Sequence, residues 1–395
     1  MMNALLAKVL PQEGGLEGSS SKLYNGALGL LGAFTLVGIL FGFHAMYIGY
    51  DHAYGVSREV PWGLVLAAYV FFVVTSTGLC LVSSIGHVFG YDAFKPIAKR
   101  SVYLAIATIV SGFLVIFFEI ENPFRMAIYN VISPNLTSNI WWMGTLYGAY
   151  LLFMLIEFAL LQADKHKIAG FCGLLGVISG VAAHSNLGAV FGLLDGRHFW
   201  HGPYMPIYFI VSAMMSGCAT VIFFHWLGYK INGWKMSEQM EESLRSVAKL
   251  GALLYIVIIF FTTWKFISGI SGQPAGEYVA LLEGPYIKNF WYGEVALGLV
   301  IPLMIILAVR ARNLTAMAIG SAASIVGIFI MRYDLVVVGL VVPGYHELNI
   351  VGLPHIFPYT PTLHEWMVTI SGFTFCGILF MWGERLFRGH LSEDH

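Results

Sequence analysis

Residues 62–89 read WGLVLAAYVFFVVTSTGLCLVSSIGHVF, 28 residues without an Asp, Glu, Lys or Arg. A bilayer's hydrocarbon is crossed by about 20 apolar residues wound as a helix, so this stretch alone is long enough to span. Comparable runs lie at roughly 24–50, 101–119, 140–163, 168–194, 204–228, 248–270, 290–310, 312–332 and 363–383. Ten spans and an all-α, polytopic transmembrane fold are therefore expected, since a membrane barrel would show short alternating segments instead. Residues 335–342 are too few to span again and read as an extension of helix nine or a re-entrant cap.

Composition agrees. With 58% hydrophobic and 11% charged residues and a mean hydropathy of +0.75, a soluble globular domain is excluded. The formal net charge of -1 comes with no basic patch, which excludes a nucleic-acid partner. Cys80, Cys172, Cys218 and Cys376 stand singly in apolar segments, without the paired spacing of a thiolate metal site, so no metal is expected on this chain.

The polar stretch Gln12 to Lys22 precedes a first run longer than a signal-peptide core, which is read as a retained span. An even number of spans puts both termini on one side, and 15 of the 21 Lys and Arg fall there. The positive-inside rule makes that side cytoplasmic, in the cell inner membrane. The expected divisions are a cytoplasmic segment 1–23, a first transmembrane half 24–194, a second half 195–383 and a cytoplasmic tail 384–395. Trp142-Met143-Gly144 opening helix four is echoed by Trp291-Tyr292-Gly293 opening helix eight. That echo predicts two four-helix bundles, helices 2–5 and 6–9, flanked by helices 1 and 10. The longest cytoplasmic connection, about 229–247 with Glu238, Glu241 and Glu242, reads as a seam within the second half.

Ionisable groups near hydrocarbon are costly, and here they gather at the non-cytoplasmic ends of the helices, which makes that face the place to look for chemistry. After helix three come Glu119, Glu121, Asn122 and Arg125. A carboxyl held there in low dielectric has a raised pKa, as proton exchange with a quinol requires, whereas the plainer reading is an ion pair with Arg125. His44, Tyr47 and Asp51 follow i, i+3, i+7 spacing and would share a face able to bond a polar headgroup; a lone membrane histidine is more often a packing residue. Helix four carries Tyr147, Tyr150, Met154 and Glu157 as a stripe, of which the aromatic part reads as packing. Glu157 lies deep enough to need a partner or a proton and, with His87, could extend a proton route inward. His184, with Ser185 and Asn186, follows a glycine face (Gly173, Gly176, Gly180) suited to close helix packing. Glu294, Arg332, Asp334, His364 and Glu365 form a second-half polar cluster, either a second site or a vestige of duplication.

Two other classes explain some of these residues. A haem-bearing cytochrome b would pair His44 with His184 and His87 with His225 at matching depths. A small-molecule transporter would hold its charges nearer the midplane than this chain does.

The sequence resembles the NrfD/polysulfide-reductase membrane-subunit family, in its ten-helix branch. Glu119, Pro123 and Arg125 match the family's acidic residue and Arg-Pro-Trp-Arg-like turn, with Asn122 and Phe124 replacing Arg and Trp. Pro61-Trp62-Gly63 matches the start of helix two, and His184, Gly188, Phe191, Trp200, His201, Pro206, Ser212, Ala213 and Gly217 follow the helix-five-to-six signature. Arg332-Tyr333-Asp334 resembles the Arg-x-Asn turn of helix nine, and Pro361 with Glu365 the start of helix ten. The resemblance implies a quinone-reactive subunit without haem or iron–sulfur cluster of its own, using a quinone of the menaquinone type as substrate. It also implies an extracytoplasmic, ferredoxin-like iron–sulfur partner and further redox subunits, with proton translocation as an open possibility. On that reading Glu119, Glu121 and His184 exchange protons or bond the headgroup, and His44, Tyr47, Asp51, Arg125, Trp142 and Tyr147 surround it.

Overall fold

The computed structural model describes residues 19–272, 276–348 and 350–387; most of segment 1–23, including Lys8, and the tail from Arg388 lie outside the described residues. Ten helices are long and apolar enough to cross a membrane, and no strand occurs among the described residues. They are α1 (Ser19–Ile48), α2 (Leu64–His87), α3 (Ala98–Phe117), α4 (Asn139–Gln162), α5 (His166–Gly192), α6 (Tyr204–Asn232), α7 (Glu238–Ser271), α8 (Asn289–Ala308), α9 (Leu314–Val341) and α10 (Leu363–Leu386).

Local chemistry sets several of these starts. The side chains of Ser138, Ser237 and Asn313 accept from Trp141, Met240 and Ala316 N–H, satisfying first-turn donors of α4, α7 and α9. Thr362 and Glu365 form a reciprocal capping box on α10. Residues 335–342 continue α9 as far as Val341, so the extension, not the re-entrant cap, is what forms.

One expectation is corrected. The connection placed at 229–247 shrinks to residues 233–237, because α6 runs to Asn232 and α7 begins at Glu238. Glu238 and Glu241 lie in the first turn of α7, where the helix dipole favours acids, and Arg245 pairs with Glu241 at 3.1 Å one turn on. This polar helical extension ends against Gly233, whose φ of 67° terminates α6. There is no long-loop seam.

Helices α2–α5 pack as a closed ring of four, as do α6–α9, while α1 lies on α10, which in turn leans on α3. The two rings meet chiefly along α2 and α6. Their crossing is a backbone contact: a Cβ on Gly78 would stand 1.9 Å from the Ala213 carbonyl oxygen, and one on Gly217 2.3 Å from the Gly78 carbonyl. Such closeness is how membrane helices gain dispersion contact without a hydrophobic driving force. Thr75 and Ser216 hydroxyls bond across the same crossing at 2.8 Å. In the second ring, α8 and α9 repeat the device at Gly298 and Gly327.

The connections at the two ends differ. Those at 49–63, 118–138, 193–203, 272–288 and 342–362 are long, whereas 88–97, 163–165, 233–237 and 309–313 are short. The long ones share the end that carries Glu119. Long connections on a rigid scaffold are where binding groups are usually displayed.

Candidate functional site

Within the first ring, at the long-loop end, lies a cavity of about 420 Å³. All four helices supply its wall: Trp62, Leu66 and Tyr69 at the start of α2, Phe113 and Ile116 at the end of α3, Met143 and Tyr147 on α4, Leu187 and Phe191 on α5. Its floor and sides are apolar, and its ionisable lining group is the Glu119 carboxyl. The size is ordinary for a small-molecule site.

Glu119 sits in the turn just past α3, and two tyrosines hold that turn. Tyr54 donates to the Phe118 carbonyl at 2.7 Å and Tyr50 to the Ile120 carbonyl at 3.1 Å, clamping the backbone on both sides of the acid. Burial, and secondarily the nearby Glu365, push the Glu119 carboxyl up to about 8. The same surroundings raise Tyr50 to about 12 and Tyr54 further still, so both tyrosines remain neutral donors. A carboxyl poised near neutral pH beside an apolar cavity can take up or release a proton.

Tyr147 and His184 form a second unit. The buried His184 ring lies between the Tyr147 hydroxyl, 3.2 Å from Nδ1, and the Phe209 carbonyl, 3.1 Å from Nε2. A carbonyl accepts only, so Nε2 carries the hydrogen and Nδ1 accepts from Tyr147. His184 thereby holds the Tyr147 hydroxyl, and of the two it is Tyr147 that lines the cavity.

The remaining expected residues are spread more widely. Glu121 and Arg125 are exposed, and the Arg125 guanidinium lies over the Tyr129 ring at 5.3 Å on a short helix, Pro123–Ile132, rather than pairing with Glu119. Gly49 breaks α1 before Asp51, so His44, Tyr47 and Asp51 do not form one helical face. Tyr47 is 88% exposed, and His44 bonds His364 at 2.9 Å between α1 and α10. Trp142 donates to the Leu136 carbonyl at 2.9 Å, and its neighbours Met143 and Gly144 line the cavity.

Glu157 and His87 are bonded to each other. The glycine face of α5 receives them: a Cβ at Gly173 would come within 2.8 Å of Glu157 Oε1 and 2.9 Å of His87 Nε2. His87 Nδ1 donates to the Ser83 carbonyl.

The second-half cluster divides into three. Arg332 donates to Ser212 at 2.5 Å and lies 5.0 Å over the Phe209 ring, while Asp334 accepts from Asn289 at 3.1 Å. Glu294 lies beside these on α8, whose first turns, Asn289–Val300, are π-wound. Glu365 instead ties the loops together, accepting from Gly55 N–H at 2.9 Å and Tyr359 hydroxyl at 2.6 Å; that hydroxyl accepts from Leu64 N–H at the start of α2. Gly63 is needed there, since a Cβ would stand 2.2 Å from the Tyr359 oxygen. His364 belongs with His44.

Residues 53–344 match the family model described as polysulphide reductase, NrfD. The chain belongs to the NrfD family. Among curated relatives, it is 27% identical to the Hdr-like menaquinol oxidoreductase integral membrane subunit of Archaeoglobus fulgidus, over 88% of this chain and 89% of that one. It is 22% identical to a selenate reductase subunit of Mesobacillus selenatarsenatis, over 78% and 82%, and 20% identical to protein NrfD of Escherichia coli, over 71% and 96%.

Some features of this NrfD-family chain have no clear mark in the sequence. Tyr50 ends the first apolar run and Tyr54 lies beyond it, and nothing in their spacing announces that they clamp a turn about 65 residues away. Arg100 and Glu384 are both buried and joined at 2.7 Å, with Asn232 bonding the same carboxylate at 2.8 Å, fastening α3, α6 and α10 at the short-loop end. In the sequence they lie just outside the apolar runs 101–119 and 363–383, beside Lys99 and Arg385, and read as ordinary flanking charges.

Proposed function

We propose that this chain is the quinone-reactive membrane subunit of a multi-subunit oxidoreductase, and that the cavity beside Glu119 receives the quinone headgroup. The observation that carries this reading is the combination in one place of an apolar chamber of about 420 Å³, a carboxyl poised near pH 8 and a histidine-supported tyrosine hydroxyl. A quinone ring is flat and apolar with an oxygen at either end, and it changes protonation whenever it changes oxidation state. Aromatic walls suit the ring, and proton-exchanging groups suit the oxygens.

Quinol oxidation releases two electrons and two protons. Glu119, in its carboxylate form, accepts the proton of one quinol hydroxyl, passes it to water at the long-loop end and then accepts the proton of the other, while Tyr147, held by His184, orients the ring. The electrons leave to a redox subunit docked at the long-loop end; quinone reduction runs the same steps backwards. A menaquinone-type substrate is supported by the Archaeoglobus relative being a menaquinol oxidoreductase subunit, a redox partner subunit by the membrane subunits of multi-subunit reductases among the relatives, and its iron–sulfur character by the family resemblance alone. The excess of Lys and Arg at the opposite end supports cytoplasmic termini and an extracytoplasmic site in the inner membrane. Glu157 and His87 supply a proton stepping stone deeper in the same ring.

The test is turnover of the assembled complex in membranes with a quinol donor. Glu119→Gln is expected to lower turnover by at least about a hundredfold, in the range for loss of a general base, with assembly preserved. Wild-type turnover in an assembled Glu119→Gln complex would remove the acid from the reaction.

A further inference from the structure

A second cavity, of about 380 Å³, opens at the same end of the molecule between the first turns of α6 and the last turns of α7. Its lining residues come from α6, α7 and the segments beside them and none from α8 or α9, whereas all four helices of the first ring line the first cavity. One is walled by the loop before α2, the start of α2, the end of α3 and the short helix that follows; the other by the loop before α6, the start of α6, the end of α7 and Tyr278 of the short helix Gly276–Leu282. The two lie back to back across aromatic rings, Trp62 of the first cavity meeting Trp200 of the second at 5.8 Å.

Their chemistry differs in sign. Where α3 offers Phe113 and Ile116, α7 offers Lys265. The Lys265 ammonium lies 3.5 Å from the centre of the Phe199 ring, and no carboxylate stands within ion-pairing distance of it among the described residues. Glu294 and Asp334 line, with Lys265, a separate void of about 20 Å³ and do not reach the cavity wall. Lys265 is thus the charged side chain among the lining residues, joined by His198, Ser268 and His201, whose Nδ1 lies 3.1 Å from the Asp195 carboxylate. Tyr204 also lines this wall, and its hydroxyl is buried without a hydrogen-bond partner among the described residues. On the membrane side the rim is apolar, with Phe260 55% and Trp264 51% exposed and their rings in contact.

An ammonium backed by an aromatic face, several neutral donors and an apolar rim at the level of the helix ends suit an anionic head with a hydrocarbon tail. We propose that this cavity binds the phosphate-bearing headgroup of an anionic phospholipid, with Lys265 as its cationic anchor and the acyl chains leaving past Trp264 and Phe260. The site is independent of the quinone reading: it requires only that the chain sit in a bilayer. Bound lipid would press on Trp200, and through it on Trp62 at the wall of the first cavity.

The complex is extracted, stripped of loosely held lipid, incubated with phosphatidylglycerol or phosphatidylcholine and analysed by native mass spectrometry. Wild type is expected to retain phosphatidylglycerol at least fivefold over phosphatidylcholine, Lys265→Arg to keep that preference and Lys265→Gln to lose it. Added phosphatidylglycerol is expected to raise the thermal midpoint of wild type and not of Lys265→Gln, a comparison made within each folded protein. Equal retention of the two lipids, or an unchanged preference in Lys265→Gln, would overturn the proposal. Displacement of bound lipid by millimolar inorganic phosphate would also overturn it, since the site would then take the free anion.

Discussion

Glu119 concentrates the proposed chemistry into one titration. Its carboxyl, ordinarily near 4.5, is raised to about 8 by burial and by Glu365, so below about pH 8 it is mostly protonated and above it mostly a carboxylate. Quinol oxidation needs the carboxylate; its rate is expected to rise with pH through about 8, whereas quinone reduction, which needs the acid, falls over the same window. Rate profiles of wild type and Glu119→Gln check this, the inflection being expected to vanish in the variant. Tyr147→Phe removes one hydroxyl and leaves His184 Nδ1 without its donor, so a loss of roughly two- to tenfold in turnover is expected, the equivalent of one hydrogen bond. A loss as large as that of Glu119→Gln would make the tyrosine the principal proton carrier instead. At this scale the sequence was legible where burial is expensive: Glu119, His184 and Glu157 stand out as polar groups in or beside apolar runs, whereas Tyr147 read as packing until the family resemblance singled it out. It was illegible where solvent makes polarity cheap. Glu121, Arg125, Tyr47 and Asp51 carry the same residue types as a site, but all four are exposed, three of them on short segments and Tyr47 on the outer face of α1.

Helices meet here through glycine, and that makes their crossings unforgiving. At the α2–α6 crossing the atom nearest an added Gly78 Cβ is a backbone oxygen, which cannot swing aside as a side chain would. Gly78→Val is expected to force the two rings apart and cost several kcal/mol, at or beyond the usual range of about 1–3 kcal/mol for overpacking; thermal unfolding of the purified complex measures it, and an unchanged midpoint would show that the crossing can yield. The Gly173 groove does another task, admitting on α5 the Glu157–His87 pair that joins α4 to α2. Glu157→Gln is expected to leave quinone turnover near wild type while reducing the membrane potential generated per electron; equal potential would take the pair out of any proton route. Helix spans were readable from hydropathy to within a few residues at most ends. The start of α7 was not, because its first turns are charged: hydropathy detects hydrocarbon contact, while Ser237 capping and the Glu241–Arg245 pair continue a helix beyond it.

Two rings of four helices, built alike and joined along α2 and α6, give the molecule two cavities at one end with different chemistry. The first is apolar with a carboxyl; its counterpart carries a lysine. The Trp142 and Trp291 tripeptides hinted at this duplication, but the equivalence rests on how loops and helix ends close over each cavity, which no local pattern encodes. The polar cluster of the second half also has a structural explanation in part, since Glu365 fastens loops and His364 pairs with His44. The central claim is that the first cavity holds the quinone head. Illumination of the assembled complex with an azido-naphthoquinone, followed by peptide mapping, tests it most directly: adducts are expected on cavity-lining residues such as Met126, Met143 and Tyr147, and excess menaquinone is expected to suppress them. Labelling confined to the second ring or to the lipid-facing helix surfaces, or labelling that menaquinone does not compete away, would contradict the account.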